Sequence, residues 1–143
     1  MKLRILVVDD DTDICDLLKT ALNSRGHAVT TLSDPTEFPF LMEESCRCLQ
    51  DCPCADILIV DNVMPKIEGI EFFKQLKSRG CQTLLKGNVA IMSGYLTIHY
   101  MNELNDLGIH YFRKPFNLAN MYEWVELCQS RIEGSLETSV TSS

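Results

Sequence analysis

The sequence predicts one α/β domain built on a doubly wound parallel sheet. Strand-like apolar runs alternate with stretches of helical period, the pattern of βα units joined by right-handed crossovers. Two of those runs, in "LRILVV" and "DILIV", are almost continuously apolar, as strands covered on both faces are. The 143 residues amount to one ordinary domain, able to bury a sizeable core without help from disulfides or metals.

The strands fall at 3–8, 28–32, 56–60, 89–92 and 110–113. A first helix occupies 12–25, where Ile14, Leu17, Leu18, Ala21 and Leu22 share one face and Gly26 is placed to end it. A second patterned segment, 67–80, carries Ile70, Phe73 and Leu76 at similar spacing and again closes on glycine. Segments 96–108 and 117–132 complete the alternation, which reads as five βα units. The domain is assigned to residues 1–133, and the small polar residues of 134–143 to a disordered tail or the start of a linker.

Charge and composition narrow the function classes. With 13 Lys and Arg against 20 Asp and Glu, the formal net charge is −7. An acidic domain without a basic stripe is a poor nucleic-acid binder, so no nucleic acid is expected to bind through it. No apolar run approaches the length of a membrane span, and the chain passes from Met1 straight into a strand pattern without a signal peptide. The expectation is a cytoplasmic protein that does not engage a membrane.

Seven cysteines, an odd number with no secretory signal, argue against a disulfide framework. Cys15, Cys81 and Cys128 stand singly in patterned segments and read as small core or surface thiols. Cys46, Cys48, Cys52 and Cys54 form a C-x-C-x3-C-x-C cluster. Four thiolates suit Zn²⁺ or an iron–sulfur centre, yet structural zinc sites usually set their cysteine pairs further apart. Free cysteines in an insertion are the expectation, with a bound metal or a reversible disulfide as alternatives.

In an open parallel sheet the functional crevice lies at the carboxyl ends of the strands. After strand one come Asp9, Asp10 and Asp11; strand three is followed by Asp61, strand four by Ser93 and Gly94, and strand five by Lys114 and Pro115. Singly, each has an ordinary explanation. Asp11 and Thr12 suit the N-cap region of the first helix, Asp9 a solvated loop, Ser93 a cap, and Lys114 any surface position. Together they place carboxylates, a hydroxyl and an ammonium on one rim.

Clustered like charges repel and resist joint ionisation. A hard divalent cation relieves that repulsion, and Mg²⁺ typically takes one or two carboxylates plus phosphate oxygens. A carboxylate rim with a cation and a lysine suits phosphoryl chemistry, in which one carboxylate acts as nucleophile. Asp61, followed by Met64-Pro65 and Gly69 in a βα loop, is the better nucleophile; Asp9 and Asp10 would serve the metal.

The segments "ILVVDDD", "DNVMPKIEG", "MSG" and "RKPF" occur in the order of the landmarks of bacterial response-regulator receiver domains, which the chain resembles over about residues 2–132. The resemblance implies a flavodoxin-like (βα)5 fold with strand order 2-1-3-4-5 and a partner sensor histidine kinase that passes a phosphoryl group to Asp61. It further implies that Asp10, Asp61 and the Val63 carbonyl ligate Mg²⁺ directly, and that Asp9 acts mainly through a metal-bound water. Lys114 and Ser93 would contact the phosphoryl group, the peptide before Pro115 would be cis, and Tyr111 would be the aromatic switch residue. The output surface would be the fourth helix, fifth strand and fifth helix, facing a downstream protein or a C-terminal effector domain. Such a protein is a phosphoacceptor that assists its own phosphorylation and dephosphorylation, not an enzyme acting on other substrates.

The intervals from Asp9 to Asp61 and from Asp61 to Ser93 are longer than the family usually shows, with the excess around the second helix and in "SRGCQTLLKGN". Tyr95, two residues beyond Ser93, has the bulk to cover a phosphoryl group. Two other readings are an aspartyl-nucleophile phosphatase or phosphotransferase acting on a small molecule, and a pseudo-receiver that only binds. The first usually needs a cap for which few residues remain; the complete acid set, Ser93 and Lys114 count against the second.

Overall fold

The computed structural model describes residues 2–34, 55–64 and 66–141, with side chains as far as Gly134. The strands are β1 (Arg4–Val8), β2 (Ala28–Leu32), β3 (Ile57–Asp61), β4 (Val89–Ser93) and β5 (His110–Arg113). They form one sheet, all parallel, in the order β2-β1-β3-β4-β5, so the expected flavodoxin-like topology is the one observed. Among the described residues the helices are α1 (Thr12–Ser24), α2 (Gly69–Ser78), α3 (Gln82–Leu85), α4 (Ile98–Leu107) and α5 (Leu118–Thr141). The expected helix between β2 and β3, the four clustered cysteines and Pro65 lie outside the described residues.

The period-two alternation of each strand divides the core. Leu3, Ile5, Val7, Ile57, Ile59, Ala90 and Met92 pack with Leu18 and Leu22 of α1 and with Met121, Trp124 and Val125 of α5. Leu6, Val8, Leu58, Val60, Val89 and Ile91 face the other way, onto Ile70, Phe72, Phe73 and Leu76 of α2 and Leu104 of α4. Both neighbours of β3 are strands and both its faces carry helices, which is why all five of its residues are buried. Each fully covered leucine or phenylalanine contributes roughly 2 kcal/mol. Cys15, Cys81 and Cys128 are buried, consistent with small core residues.

Three details depart from expectation. Asp61 and Ser93 are the last residues of β3 and β4 rather than the first beyond them, because Asp61 pairs in register with Met92 and Ser93 with Arg113. The excess length before β4 folds as the extra turn α3, fixed by Leu84 in the core and by the Thr83 hydroxyl donating to the Ala55 carbonyl at 2.6 Å. Finally, α5 runs on to Thr141, across the boundary at 134 and into the segment that composition marks as a disordered tail or linker. No proline follows Pro115, so nothing there removes a helical N–H. No helix among the described residues is long and apolar enough to cross a membrane.

Candidate functional site

The acids meet because their strands are neighbours in register. Val8 pairs with Val60, so the next residues, Asp9 and Asp61, leave adjoining strands side by side. Strand β1 ends when the Asp9 N–H donates to the Leu32 carbonyl at 3.0 Å, and its carboxylate then accepts the Asp11 N–H at 2.9 Å. Asp11 is the N-cap of α1, its side chain accepting from the Asp13 N–H at 2.9 Å, as its position before the helix suggests. The buried Cys15 thiol donates to the Asp9 carbonyl at 3.2 Å, and burial pushes that thiol up to about 11, so it stays protonated.

Asp9 and Asp61 are buried while Asp10 is exposed; one carboxylate oxygen from each lies within 4.8 Å of the other two. Lys114 reaches over from the end of β5, its Nζ 3.0 Å from Asp9 Oδ2 and 2.9 Å from Asp61 Oδ1. Its own N–H donates to the Ser93 carbonyl at 2.8 Å, and the peptide to Pro115 is cis. Burial raises the carboxyl pKa of both Asp9 and Asp61, more than Lys114 lowers them. Burial alone would lower the Lys114 ammonium, but its bonds to Asp61 and Asp9 hold it above the usual range.

Three ionised carboxylates against one ammonium leave two negative charges, which a divalent cation would neutralise. The donors are all hard oxygens, and the exposure of Asp10 leaves room for water ligands. Asp9, Asp10 and Asp61 therefore form a cluster able to hold a metal ion.

Ser93 is buried beside this cluster, but its hydroxyl is engaged locally, donating to the Tyr95 carbonyl at 2.9 Å and accepting the Tyr95 N–H at 3.3 Å. It does not cap the next helix; Thr97 does, accepting from the Tyr100 N–H. Tyr95 is 78% exposed, and Val63, on the loop after β3, is 70% exposed. Tyr111 is half-buried, its hydroxyl donating to the Ser93 carbonyl at 2.9 Å.

The sequence reading does not single out Asn62. Its N–H donates to the Met92 carbonyl, its carbonyl accepts from Gly69 N–H, and its side-chain oxygen accepts from Ile70 N–H at 3.4 Å. Asn62 thereby closes the loop that carries Asp61. Gly69 is required by that closure, since a Cβ there would stand 2.7 Å from the Asp61 carbonyl oxygen. An asparagine directly after the acid is a turn former, and that was the available signal.

Fold and rim together define a receiver-type domain of two-component signalling. The chain belongs to the response regulator receiver domain family, whose model matches residues 5–126. It is similar to the nisin biosynthesis regulatory protein NisR of Lactococcus lactis subsp. lactis, 30% identical over 88% of this chain and 50% of that protein. It is also similar to the response regulator MprA of Mycobacterium bovis (strain BCG / Pasteur 1173P2), 35% identical over 56% of this chain and 31% of that protein. The chain thus spans half or less of the length of these curated relatives. Among solved structures, the Francisella response regulator 1452 receiver domain matches with a TM-score of 0.74 at 26% identity, over 92% of this chain and 99% of that one. A two-component response regulator from Clostridium difficile, at 19% identity over 92% of this chain and 98% of that one, shares the fold with a TM-score of 0.73.

Proposed function

We infer that Asp61 accepts a phosphoryl group from a phosphohistidine of a sensor histidine kinase. The observation that carries this reading is the Lys114 ammonium held between Asp9 and Asp61 at 3.0 and 2.9 Å. It puts a positive charge beside the one buried carboxylate that ends a strand and is backed by a closed loop. An oxygen of Asp61 forms the new bond to phosphorus; the bond from phosphorus to the histidine nitrogen breaks, and the electron pair leaves with the imidazole. Lys114 offsets charge on the phosphoryl oxygens, and the Ser93 hydroxyl exchanges the Tyr95 carbonyl for one of them.

Asp9, Asp10, Asp61 and the Val63 carbonyl would hold Mg²⁺, with Asp9 acting mainly through a water. When bound, the ion neutralises charge on the acids and the transferring group. The same groups assist hydrolysis of the acyl phosphate, so the domain promotes its own phosphorylation and dephosphorylation.

The Ser93–Tyr111 contact supports the output. Moving Ser93 toward a phosphoryl group disturbs the carbonyl to which Tyr111 is bonded, biasing the surface of α4, β5 and α5. That surface would meet a downstream protein or an effector domain following this one, in the cytoplasm with the kinase.

Incubation with labelled acetyl phosphate and Mg²⁺ tests the reading. Retention of label by the wild-type chain and its loss in Asp61→Asn are expected. Undiminished label in Asp61→Asn would overturn the assignment, and turnover without retained label would favour a small-molecule phosphatase.

A further inference from the structure

α4 is lightly rooted in the core. Of its ten residues only Leu104 is buried, with Tyr100 and Leu107 partly covered. The equally long α2 buries Gly69, Ile70, Phe72, Phe73 and Leu76. A helix with so little buried apolar area belongs to the low-stability end of a fold, where polar contacts decide how often it opens.

Those contacts run from α4 to α2. The Tyr100 hydroxyl donates to Glu68 Oε2 at 3.2 Å. One turn further along α4, Glu103 Oε2 is buried without a hydrogen-bond partner among the described residues, and the charge facing it is Lys74 Nζ at 3.4 Å. Lys74 is also 3.4 Å from Glu71, while Glu103 Oε1 lies 3.1 Å from His99 Nε2. Several charges joined in this way outweigh isolated surface pairs.

Glu68 connects this network to the end of β3. It is the N-cap residue of α2, yet its side chain makes no capping hydrogen bond. The next residue, Gly69, is packed against the Asp61 carbonyl and the Asn62 backbone. A displacement of the chain at Asp61 therefore reaches Glu68 through atoms already in contact.

We propose that the Tyr100–Glu68 hydrogen bond and the Lys74–Glu103 ion pair form a polar latch that holds α4 against α2 and couples α4 to the backbone at the end of β3. The latch acts beside the Ser93–Tyr111 contact, through different side chains. Its output rests on the phosphoacceptor reading: modification of Asp61 displaces the Asp61–Asn62 backbone and the Gly69 packed against it, weakens the latch and frees α4. Because coupling is reciprocal, loosening the latch also favours modification.

Hydrogen exchange followed by mass spectrometry on the unmodified chain tests the latch directly. Tyr100→Phe keeps the ring and removes one hydroxyl; exchange over 98–107 should accelerate about fivefold, with β1 and α1 unchanged. Lys74→Gln should act in the same direction. Wild-type exchange in α4 of both variants, or acceleration shared equally with α1, would overturn the latch. Labelling with acetyl phosphate tests the coupling: Tyr100→Phe should reach half-maximal label at a severalfold lower concentration, and an unshifted midpoint would overturn it. If the wild-type chain takes no label, the phosphoacceptor reading fails and the coupling with it, while the exchange data still judge the latch.

Discussion

Lys114 and Asp9 are 105 positions apart in the chain and 3.0 Å apart in space. The ammonium spans from β5 to β1 over the ends of two intervening strands, and with Asp61 it forms the only cation contact to the buried acids among the described residues. Removing it leaves two buried carboxylates facing each other. Lys114→Ala is expected to lower metal-free stability by about 2 kcal/mol, discounted for the partial exposure of the lysine. Urea denaturation would measure this. The loss should shrink in Mg²⁺, because the ion supplies the missing charge, and an equal loss in both buffers would contradict the electrostatic account.

The exposure of Asp10 separates metal binding from folding. Asp10→Asn removes one of three neighbouring like charges, so metal-free stability should hold or rise, by less than about 1 kcal/mol. The rise in melting temperature on adding Mg²⁺ should nevertheless diminish, since that rise reports affinity for the folded state. A titration by thermal shift decides it; an Asp10→Asn response matching the wild type would remove Asp10 from the ion.

Gly69 is where a single methyl group should matter most. Its Cβ would meet the Asp61 carbonyl oxygen at 2.7 Å and the Asn62 Cα at 3.0 Å, both backbone atoms that cannot give way as a side-chain end can. Gly69→Ala is expected to lose about 1–3 kcal/mol and to slow labelling of Asp61 by acetyl phosphate. Wild-type stability and labelling would show that the loop after β3 yields more than this packing allows.

Tyr95 supplies bulk beside Ser93 while remaining largely exposed, so its ring is free to lie over a phosphoryl group. Tyr95→Ala should shorten the lifetime of the acyl phosphate severalfold by admitting water. A decay rate identical to the wild type would refute this role.

His27 governs a pH effect far from the acids. Its buried Nδ1 accepts the Leu3 N–H at 3.2 Å, and burial holds the imidazole below its ordinary value of 6.5. The folded state prefers the neutral ring, so this stabilisation is complete above the unfolded value and is lost as the pH falls below it. Stability should decline as the pH falls through 6.5, and less steeply in His27→Gln. His110, lowered by burial and by Arg131, contributes a residual slope of the same sign. An unchanged slope in His27→Gln would place the effect elsewhere.

The acids were legible in the sequence because strand tips carry their own punctuation: an apolar run halted by Asp9 or Asp61 can end only at the rim. Lys114 is legible by its position directly after the fifth strand, on the same rim. The register that sets Asp9 beside Asp61 depends on strand pairing, which no local pattern encodes. Asn62 escaped notice because its work is done through hydrogen bonds to residues on either side of a loop. The Glu68–Tyr100 contact joins two helices distant in sequence, and neither residue looks unusual in its own segment. The short α3 lies in a stretch where Gly80 and Gly87 suggest only a loop; its buried Thr83 and Leu84 find their partners elsewhere in the chain.

That extra turn stands at the amino end of the strands, the opposite pole from Asp61, and Leu85 at its end points outward with 59% exposure. Chain length can therefore drift in this connection while the chemistry stays put. A dye or purification handle grafted beside Leu85 would watch the domain at work without standing in its way.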